Sequence, residues 1–245
     1  MKRSALILSF VTYTITFFSC DNENALDCFK KPGEIIEQEI QLNSFKSIEA
    51  YDEMDIYLVN SNEQKVIIKA GKNLISKIHL SVENDILTIS NDNTCNWVRS
   101  PENPGIYIFS NDISGIGIFD YANIISEEPL KLDNLSIFSD GTGNFEMNID
   151  IDSLFIKSIY ISNFNFTGNA GFIDLLLTGD SRFLAGNLSA GDIKIDHNGS
   201  NRIELYPINS LKGVIQSTGS VYYYHEPIIL DVTVRGAGRL INLSE

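Results

Sequence analysis

The stretch Asp140-Gly141-Thr142-Gly143-Asn144 decides the fold, because similar turns of glycine and small polar residues recur to the C-terminus. One marker residue from each turn gives steps of 26, 20, 18, 20, 19 and 18 residues: Gly117, Gly143, Asn163, Ser181, Asn201, Ser220 and Gly238. A strand-rich repeat of about 19 residues is too short for a propeller blade but suits one coil of a β-solenoid.

Apolar residues alternate with polar ones between these turns. The inward-facing pairs expected from this alternation are Leu135/Ile137, Leu154/Ile156, Leu175/Leu177, Ile193/Ile195 and Val232/Val234. A single rung cannot bury such a face alone, so the rungs must fold as a stack. We therefore predict an all-β, single-domain β-solenoid, with seven rungs forming a rod of about 30 Å at a strand spacing of about 4.8 Å.

The predicted solenoid domain covers residues 35–245. The pattern in residues 35–100 predicts strands that extend or cap the stack, and residues 106–245 contain the regular repeat. Residues 73–78 form either one helical turn or a connector, and residues 91–105 read as a loop.

The N-terminus is typical of an exported protein. Lys2 and Arg3 precede a short apolar run, so residues 1–19 are predicted to be a signal peptide. Phe17-Phe18-Ser19-Cys20 resembles a bacterial lipobox with phenylalanine in place of the usual leucine, which makes Cys20 the expected lipidation site. Residues 20–34 read as an acidic tether and linker. These features predict an outer membrane lipoprotein of a Gram-negative bacterium, at the cell surface or facing the periplasm; the alternative is a soluble secreted protein.

The chain has three cysteines, an odd number for an exported protein. Lipidation of Cys20 would leave Cys28 and Cys95 as a disulfide pair, which would contribute about 4 kcal/mol in the chain-entropy model. The alternative is a Cys20–Cys28 bridge with Cys95 free. These spacings do not make a zinc site, and no cofactor is expected.

The formal net charge of −14 makes nucleic-acid binding unlikely, because such a surface repels phosphate backbones.

Several segments, in this order, resemble one known family. They are Leu42-Asn43-Ser44-Phe45-Lys46-Ser47-Ile48, Asp55-Ile56-Tyr57-Leu58, Val66-Ile67-Ile68, Asn73-Leu74-Ile75 and Val82-Glu83-Asn84-Asp85-Ile86-Leu87-Thr88-Ile89. The family is that of auto-transporter adhesins with a GIN-type head domain, and the resemblance spans about residues 35–245. It implies a β-solenoid on an exported or lipidated bacterial protein, and it supplies no catalytic residues.

Some β-helices cleave polysaccharides with clustered acids, so catalysis is one function that this fold can support. Rung stacking could align acids such as Asp174 with Asp192, but aspartates near turns are more often turn formers. His79, His197 and His225 read as surface turn residues, although stacking could bring His197 near His225. We therefore predict no enzyme activity and no metal site.

Tyr222-Tyr223-Tyr224 is the most suggestive binding feature. In a strand, Tyr222 and Tyr224 share one face, where tyrosines could stack on a sugar or anchor a protein. Tyr206 in a nearby rung is the third predicted ligand contact. An aromatic ladder could add Tyr160, Phe164, Phe166 and Phe183, although ordinary core and rung stacking is the favoured explanation for these residues.

The function predicted from the sequence is a lipid-anchored, non-catalytic binding module for a glycan or protein. The alternative is a structural envelope scaffold that assembles through its rung ends or flat face. A polysaccharide-active enzyme is a distant third.

Overall fold

The alternating pattern folds into a stack of parallel strands. The structure, a computed structural model, describes residues 32–93 and 103–244. Its sixteen strands are β1 (Ile35–Ile40), β2 (Ser47–Ala50), β3 (Met54–Val59), β4 (Lys65–Gly71), β5 (Ile78–Glu83), β6 (Ile86–Asn91), β7 (Gly105–Phe109), β8 (Gly115–Ile118), β9 (Tyr121–Ser139), β10 (Thr142–Ser158), β11 (Ile161–Thr178), β12 (Arg182–Asn198), β13 (Ile203–Ile215), β14 (Val221–Tyr223), β15 (Ile229–Val234) and β16 (Leu240–Asn242). A 3-10 turn, Ile75–Lys77, lies within the predicted helical turn or connector.

Each regular rung is one long bent strand that pairs in parallel with the rungs before and after it. The order is β9-β10-β11-β12-β13, and β14 and β15 then pair separate halves of β13. The fold is a single β-solenoid of about 7 turns with rungs of about 19 residues, which confirms the predicted fold class.

The core is built from columns of equivalent residues in successive rungs. One aliphatic column consists of Leu135, Leu154, Ile173, Ile193 and Leu211, all buried. A second column contains phenylalanine, with the rings of Phe145 and Phe164 stacked 4.6 Å apart between centroids. Such columns bury apolar area that no isolated rung could bury, so the stack holds together as an array.

The corners are closed by hydroxyl pairs that face inward. The Oγ atoms of Ser139 and Ser162 lie 2.6 Å apart, and those of Ser158 and Ser181 are also 2.6 Å apart. All four serines are completely buried, so these pairs satisfy polar groups that would otherwise be costly inside the rod.

Two of the glycine markers lie in strands rather than in turns. Gly117 belongs to β8 and Gly143 to β10, and the bends fall at residues 119–120 and 140–141. Gly143 faces the interior, where an added Cβ would lie 2.9 Å from Cε2 of Phe145. The second glycine of this pair therefore leaves space for a core ring.

The N-terminal strands both extend and cap the stack. β3 pairs in parallel with β7 and β9, and β2 pairs in parallel with β6 and β8. β4 then pairs antiparallel with β7, and β1 with β4, while β5 pairs antiparallel with β6. This change of direction ends the parallel stack on that side.

The last rung is less buried than the others. β15 pairs only with β13, and its Val234 is 42% exposed. The predicted inward pair Val232/Val234 is therefore only partly covered, because no described strand packs over it.

No helix in residues 32–93 and 103–244 is long and apolar enough to cross a membrane. The predicted signal peptide, the lipidation site Cys20 and the disulfide cysteines Cys28 and Cys95 lie outside the described residues.

Candidate binding surface

One outward-facing column of polar side chains runs along the solenoid through successive rungs. Its first part is an amide ladder in which Asn163 donates to Asn144, Asn144 to Asn123, and Asn123 to Asp55, each through Nδ2 to Oδ1. The N···O distances are 2.9, 2.9 and 2.6 Å. The ladder forms because the register places these residues side by side in β3, β9, β10 and β11.

The same column becomes basic in the C-terminal rungs. Asn163 pairs with Arg182 in the strand register. Arg182 is followed by Arg202, since Phe183 N–H donates to the carbonyl of Arg202. Ser220 and Arg239 complete the column through backbone bonds from Ile203 to Ser220 and from Val221 to Arg239.

Arg202 is held by three neighbouring side chains. Its guanidinium carbon lies 3.9 Å from the centre of the Tyr222 ring, a cation–π contact. Its Nε donates to Glu204 Oε1 at 2.5 Å, and its Nη2 donates to the Tyr224 hydroxyl at 3.2 Å. Burial lowers the pKa of Arg202, but the bond to Tyr224 and the charge of Glu204 more than offset it, so the pKa is raised.

Tyr222 and Tyr224 share the outer face, as the alternation predicts. Both are half-buried, whereas Tyr223 between them is only 5% exposed and belongs to the core. Burial raises the pKa of the Tyr223 hydroxyl, and Glu226 adds to this effect. Tyr222 and Tyr224 therefore present two phenol rings on the outer face, and Arg202 contacts both of them.

Tyr206 also faces outward, beside the other tyrosines. Its ring centroid lies 5.3 Å from that of His225, whose Nδ1 bonds the Pro207 carbonyl at 2.8 Å. Tyr206 is half-buried, and backbone pairing of Tyr224 with Leu205 places it close to Tyr224 along the sheet. The three tyrosines predicted as ligand contacts are thus on one face of the C-terminal rungs.

The larger aromatic ladder considered for the surface does not form, and core stacking, the favoured alternative, is confirmed for its three phenylalanines. Phe164, Phe166 and Phe183 are at most 1% exposed and pack against one another inside the rod. Side chains two or four residues apart on a strand point to the same side. Each phenylalanine lies at such a distance from a buried serine, Ser162 or Ser181, and therefore points into the rod. Tyr160 is 55% exposed, but it lies in the bend between β10 and β11.

The surface position predicted for His197 is wrong. His197 is completely buried, and its Nε2 donates to the carbonyl of Asn201 at 3.2 Å. Its Nδ1 has no hydrogen-bond partner in the described part of the chain. Burial lowers the pKa of His197, against smaller opposing effects of Asn201 and Asp196. The neighbours found for His225 are Tyr206 and Pro207, not His197.

The alignment of Asp174 with Asp192 that rung stacking could have produced does not occur, since the register pairs Asp174 with Lys194 and Asp192 with Phe172. Lys194 Nζ lies 2.9 Å from Asp174 Oδ2, so this carboxylate is part of an ion pair. Paired residues of β11 and β12 are further apart in the sequence than Asp174 and Asp192 are. The two acids are therefore not neighbours in the sheet. No group of three acidic, histidine or cysteine side chains within the described ranges could hold a metal ion.

A polar concavity of about 650 Å³ lies elsewhere, beside the loop between β7 and β8. Its rim includes Asp133, Asn134, Asp150 and Asp152, and Asp112 there is paired with Lys46 at 3.2 Å. Its walls contain no aromatic side chain.

The arginine column was missed in the sequence reasoning. Its signal is present in the chain, because Asn144, Asn163 and Arg182 follow one another at the period of the repeat. Arg202 comes one residue later than that period predicts, and only the register of β12 and β13 shows that it continues the column.

Solved structures share this fold. A crystal structure of a "putative adhesin" from Bacteroides fragilis NCTC 9343 has a TM-score of 0.79 and 25% identity, covering 86% of this chain and 99% of that one. A "putative lipid binding protein" from Parabacteroides distasonis ATCC 8503 has a TM-score of 0.60 and 16% identity, covering 86% and 97%. A "putative adhesin" from Parabacteroides merdae ATCC 43184 has a TM-score of 0.58 and 17% identity, with the same coverage. No curated protein matches the chain.

The family model described as "putative auto-transporter adhesin, head GIN domain" matches residues 44–227. The match begins just before β2 and ends just after β14, so it includes the N-terminal strands from β2 onward and the tyrosine face. This chain therefore belongs to the auto-transporter adhesin family with a GIN head domain.

Proposed function

We propose that this protein is an exported, non-catalytic envelope lipoprotein whose C-terminal rungs bind a glycan or protein ligand through Tyr222, Tyr224 and Tyr206. The observation that carries the proposal is the contact of Arg202 with both Tyr222 and Tyr224. These contacts hold two half-exposed rings on a rigid sheet, so little side-chain entropy remains to be lost on binding. The adhesin-like family and the similar Bacteroides fragilis structure are consistent with a binding role.

Binding is tested with the full chain purified in mild detergent, applied to a glycan array and to immobilised envelope and host proteins. Tyr222→Ala and Tyr224→Ala should each lower the affinity for whichever ligand the wild type retains by about tenfold, because rigid aromatic side chains dominate such interfaces. Tyr160→Ala is the matched control, since Tyr160 is exposed at a corner bend outside this face. Unchanged binding by both tyrosine variants would remove this face from consideration.

The anchor belongs to the same proposal. Cys20 would carry the lipid, residues 1–19 would be removed, residues 20–34 would tether the domain, and Cys28 would pair with Cys95. Labelling with a fatty-acid analogue should mark the wild type but not Cys20→Ser. Cys28→Ser and Cys95→Ser should each expose one new free thiol under non-reducing conditions.

Location is tested by brief protease treatment of intact cells that express a C-terminally tagged chain, with a periplasmic marker as the lysis control. Loss of the tag would place the solenoid outside the cell. Protection until the outer membrane is opened would rule out contact with host ligands and favour an envelope partner.

A scaffold role has one specific observation in its favour. Ile228, Ile229 and Leu230 at the last rung are 82%, 49% and 41% exposed, and β15 pairs with a strand on one side only. An open strand edge can pair with another chain. Stable partners that co-purify through this edge, without any glycan affinity, would favour the scaffold over the binding module.

A further inference from the structure

The arginines of this chain are concentrated at one place. The six are Arg3, Arg99, Arg182, Arg202, Arg235 and Arg239, and four of them fall in the last rungs of a chain with a net charge of −14. Three of these four, Arg182, Arg202 and Arg239, lie in one outward column. Arg235 follows β15, outside the column.

The spacing of the column allows its arginines to act together. Adjacent rungs are about 4.8 Å apart, so Arg182 and Arg202 are about one strand spacing apart and Arg239 lies about two further rungs along. At physiological ionic strength charges are screened over about 8 Å. Arg182 and Arg202 therefore lie within this distance of each other, whereas Arg239, about 14 Å from Arg182, can meet a separate anionic group of an extended ligand.

Two of the three guanidinium groups are available to a ligand. Glu204 neutralises Arg202. Arg182 and Arg239 are exposed, and their side chains make no ion pair or hydrogen bond with any residue the structure describes. Glu226 accepts a hydrogen bond from Asn242, and Asp180, two residues before Arg182, accepts one from the Ser200 hydroxyl. The column thus offers two guanidinium groups that no described carboxylate pairs with, on the outer face that carries Tyr222 and Tyr224.

We infer that this column makes the proposed binding face selective for an acidic glycan, whose chain runs along the solenoid axis; the inference rests on the proposed function. Guanidinium groups bind carboxylates and sulfates through paired N–H donors, and the neighbouring tyrosine rings offer faces to sugar rings. The asparagine ladder continues the same line with amide groups. A linear polymer with regularly spaced anionic groups fits a straight column better than a compact ligand does.

The experiment measures binding of the full chain in mild detergent to an oligogalacturonate and to its methyl ester, which keeps the sugar rings and removes the charge. A sulfated chondroitin oligosaccharide distinguishes sulfate from carboxylate recognition. The acidic oligomers should bind at least about tenfold more tightly than the ester. A higher salt concentration should weaken the binding of the acidic oligomers.

Arg182→Gln and Arg239→Gln should each reduce affinity for the acidic oligomer by about three- to tenfold, with unchanged thermal unfolding. Arg235→Gln is the matched control and should bind as the wild type does. The inference would be overturned if the ester bound as tightly as the acid, or if neither acidic oligomer bound. It would also be overturned if Arg235→Gln lost as much affinity as Arg182→Gln and Arg239→Gln. Equally tight, arginine-dependent binding of a single-stranded oligonucleotide would also overturn it, because the column would then be a general polyanion site.

The outcomes separate the two proposals. The arginine variants could bind normally while Tyr222→Ala and Tyr224→Ala no longer bind a neutral glycan or a protein. That result would support the proposed binding face and contradict its selectivity for an acidic glycan. If none of these variants changes binding, both fail.

Discussion

The ring of Tyr224 lies against the backbone of Gly186, two rungs away. A Cβ added to Gly186 would stand 2.9 Å from Cε2 and 3.0 Å from Cδ2 of Tyr224. The absence of a side chain at Gly186 therefore decides where this phenol lies, and with it the bond from Arg202 to the Tyr224 hydroxyl.

Gly186→Ala should displace the Tyr224 ring and weaken ligand binding severalfold without unfolding the rod. The close atoms belong to a partly exposed ring that can rotate away, so the loss of stability should stay below about 1 kcal/mol. Binding and thermal unfolding of the same preparation check this expectation. Asn187→Ala, at the next and exposed position, should leave both unchanged.

Phe164→Ala should destabilise the protein by about 3–5 kcal/mol, because the ring is 1% exposed and lies in the phenylalanine column. Phe155→Ala is the control, since Phe155 faces outward with 40% exposure and should cost about 1 kcal/mol or less. Urea denaturation of both variants measures the difference. Equal losses would contradict the assignment of Phe164 to the core.

Gly213→Ala should destabilise the chain by at least about 2 kcal/mol. Its φ is +140°, and an added Cβ would lie 1.8 Å from the carbonyl oxygen of Ile195, a backbone atom that cannot move aside. Gly105→Ala provides the contrast, because the nearest atom there is Cε2 of Tyr107 at 3.2 Å. Denaturation midpoints that fall by similar amounts in both variants would show that close backbone approach is not the cause.

The free energy of unfolding should fall as the pH drops below about 6.5, the ordinary pKa of histidine in an unfolded chain. Burial lowers the pKa of His197 in the folded state, so below this pH the unfolded chain binds the proton more readily. The contribution is complete above about pH 6.5 and is lost as the pH falls toward the lowered folded pKa.

His197→Leu should remove this part of the pH dependence, measured as urea stability at pH 7.5 and pH 5.5. Leucine suits the site because Leu177 occupies the equivalent buried position one rung earlier. His79→Gln, at an exposed residue beside Asp92, should keep the wild-type slope. A slope that survives in His197→Leu would assign the effect to other groups.

Several features of the chain could be predicted because they depend on local alternation and period. The apolar pairs Leu154/Ile156 and Ile193/Ile195 lie inward as expected, because side chains on a strand alternate between its two faces. Continuing the same alternation by one step from Ile195 would also have placed His197 inside the rod. That error came from treating a residue near a turn as exposed, not from a missing signal.

Other features depend on small changes in rung length. The register places Ile173 beside Ile193 but Leu154 beside Ile173, so the step between rungs changes from 19 to 20 residues. At the observed step of 20 residues Asp174 lies beside Lys194, whereas alignment with Asp192 would require a step of 18. The irregularities between Asn165 and Thr167, and between Leu184 and Ser189, absorb such differences where the strand bends.

The sequence by itself determined the solenoid, its period and the side chains that fill it, because burial of alternating apolar residues is possible only when equivalent rungs stack. Only the tertiary structure decided which outward residues meet, as in the contact of Arg202 with Tyr222. Neighbours on the surface come from different rungs, and their alignment depends on where each rung bulges and turns. Outward side chains tolerate a shift of register that the core does not, so the pattern of apolar residues contains little information about it.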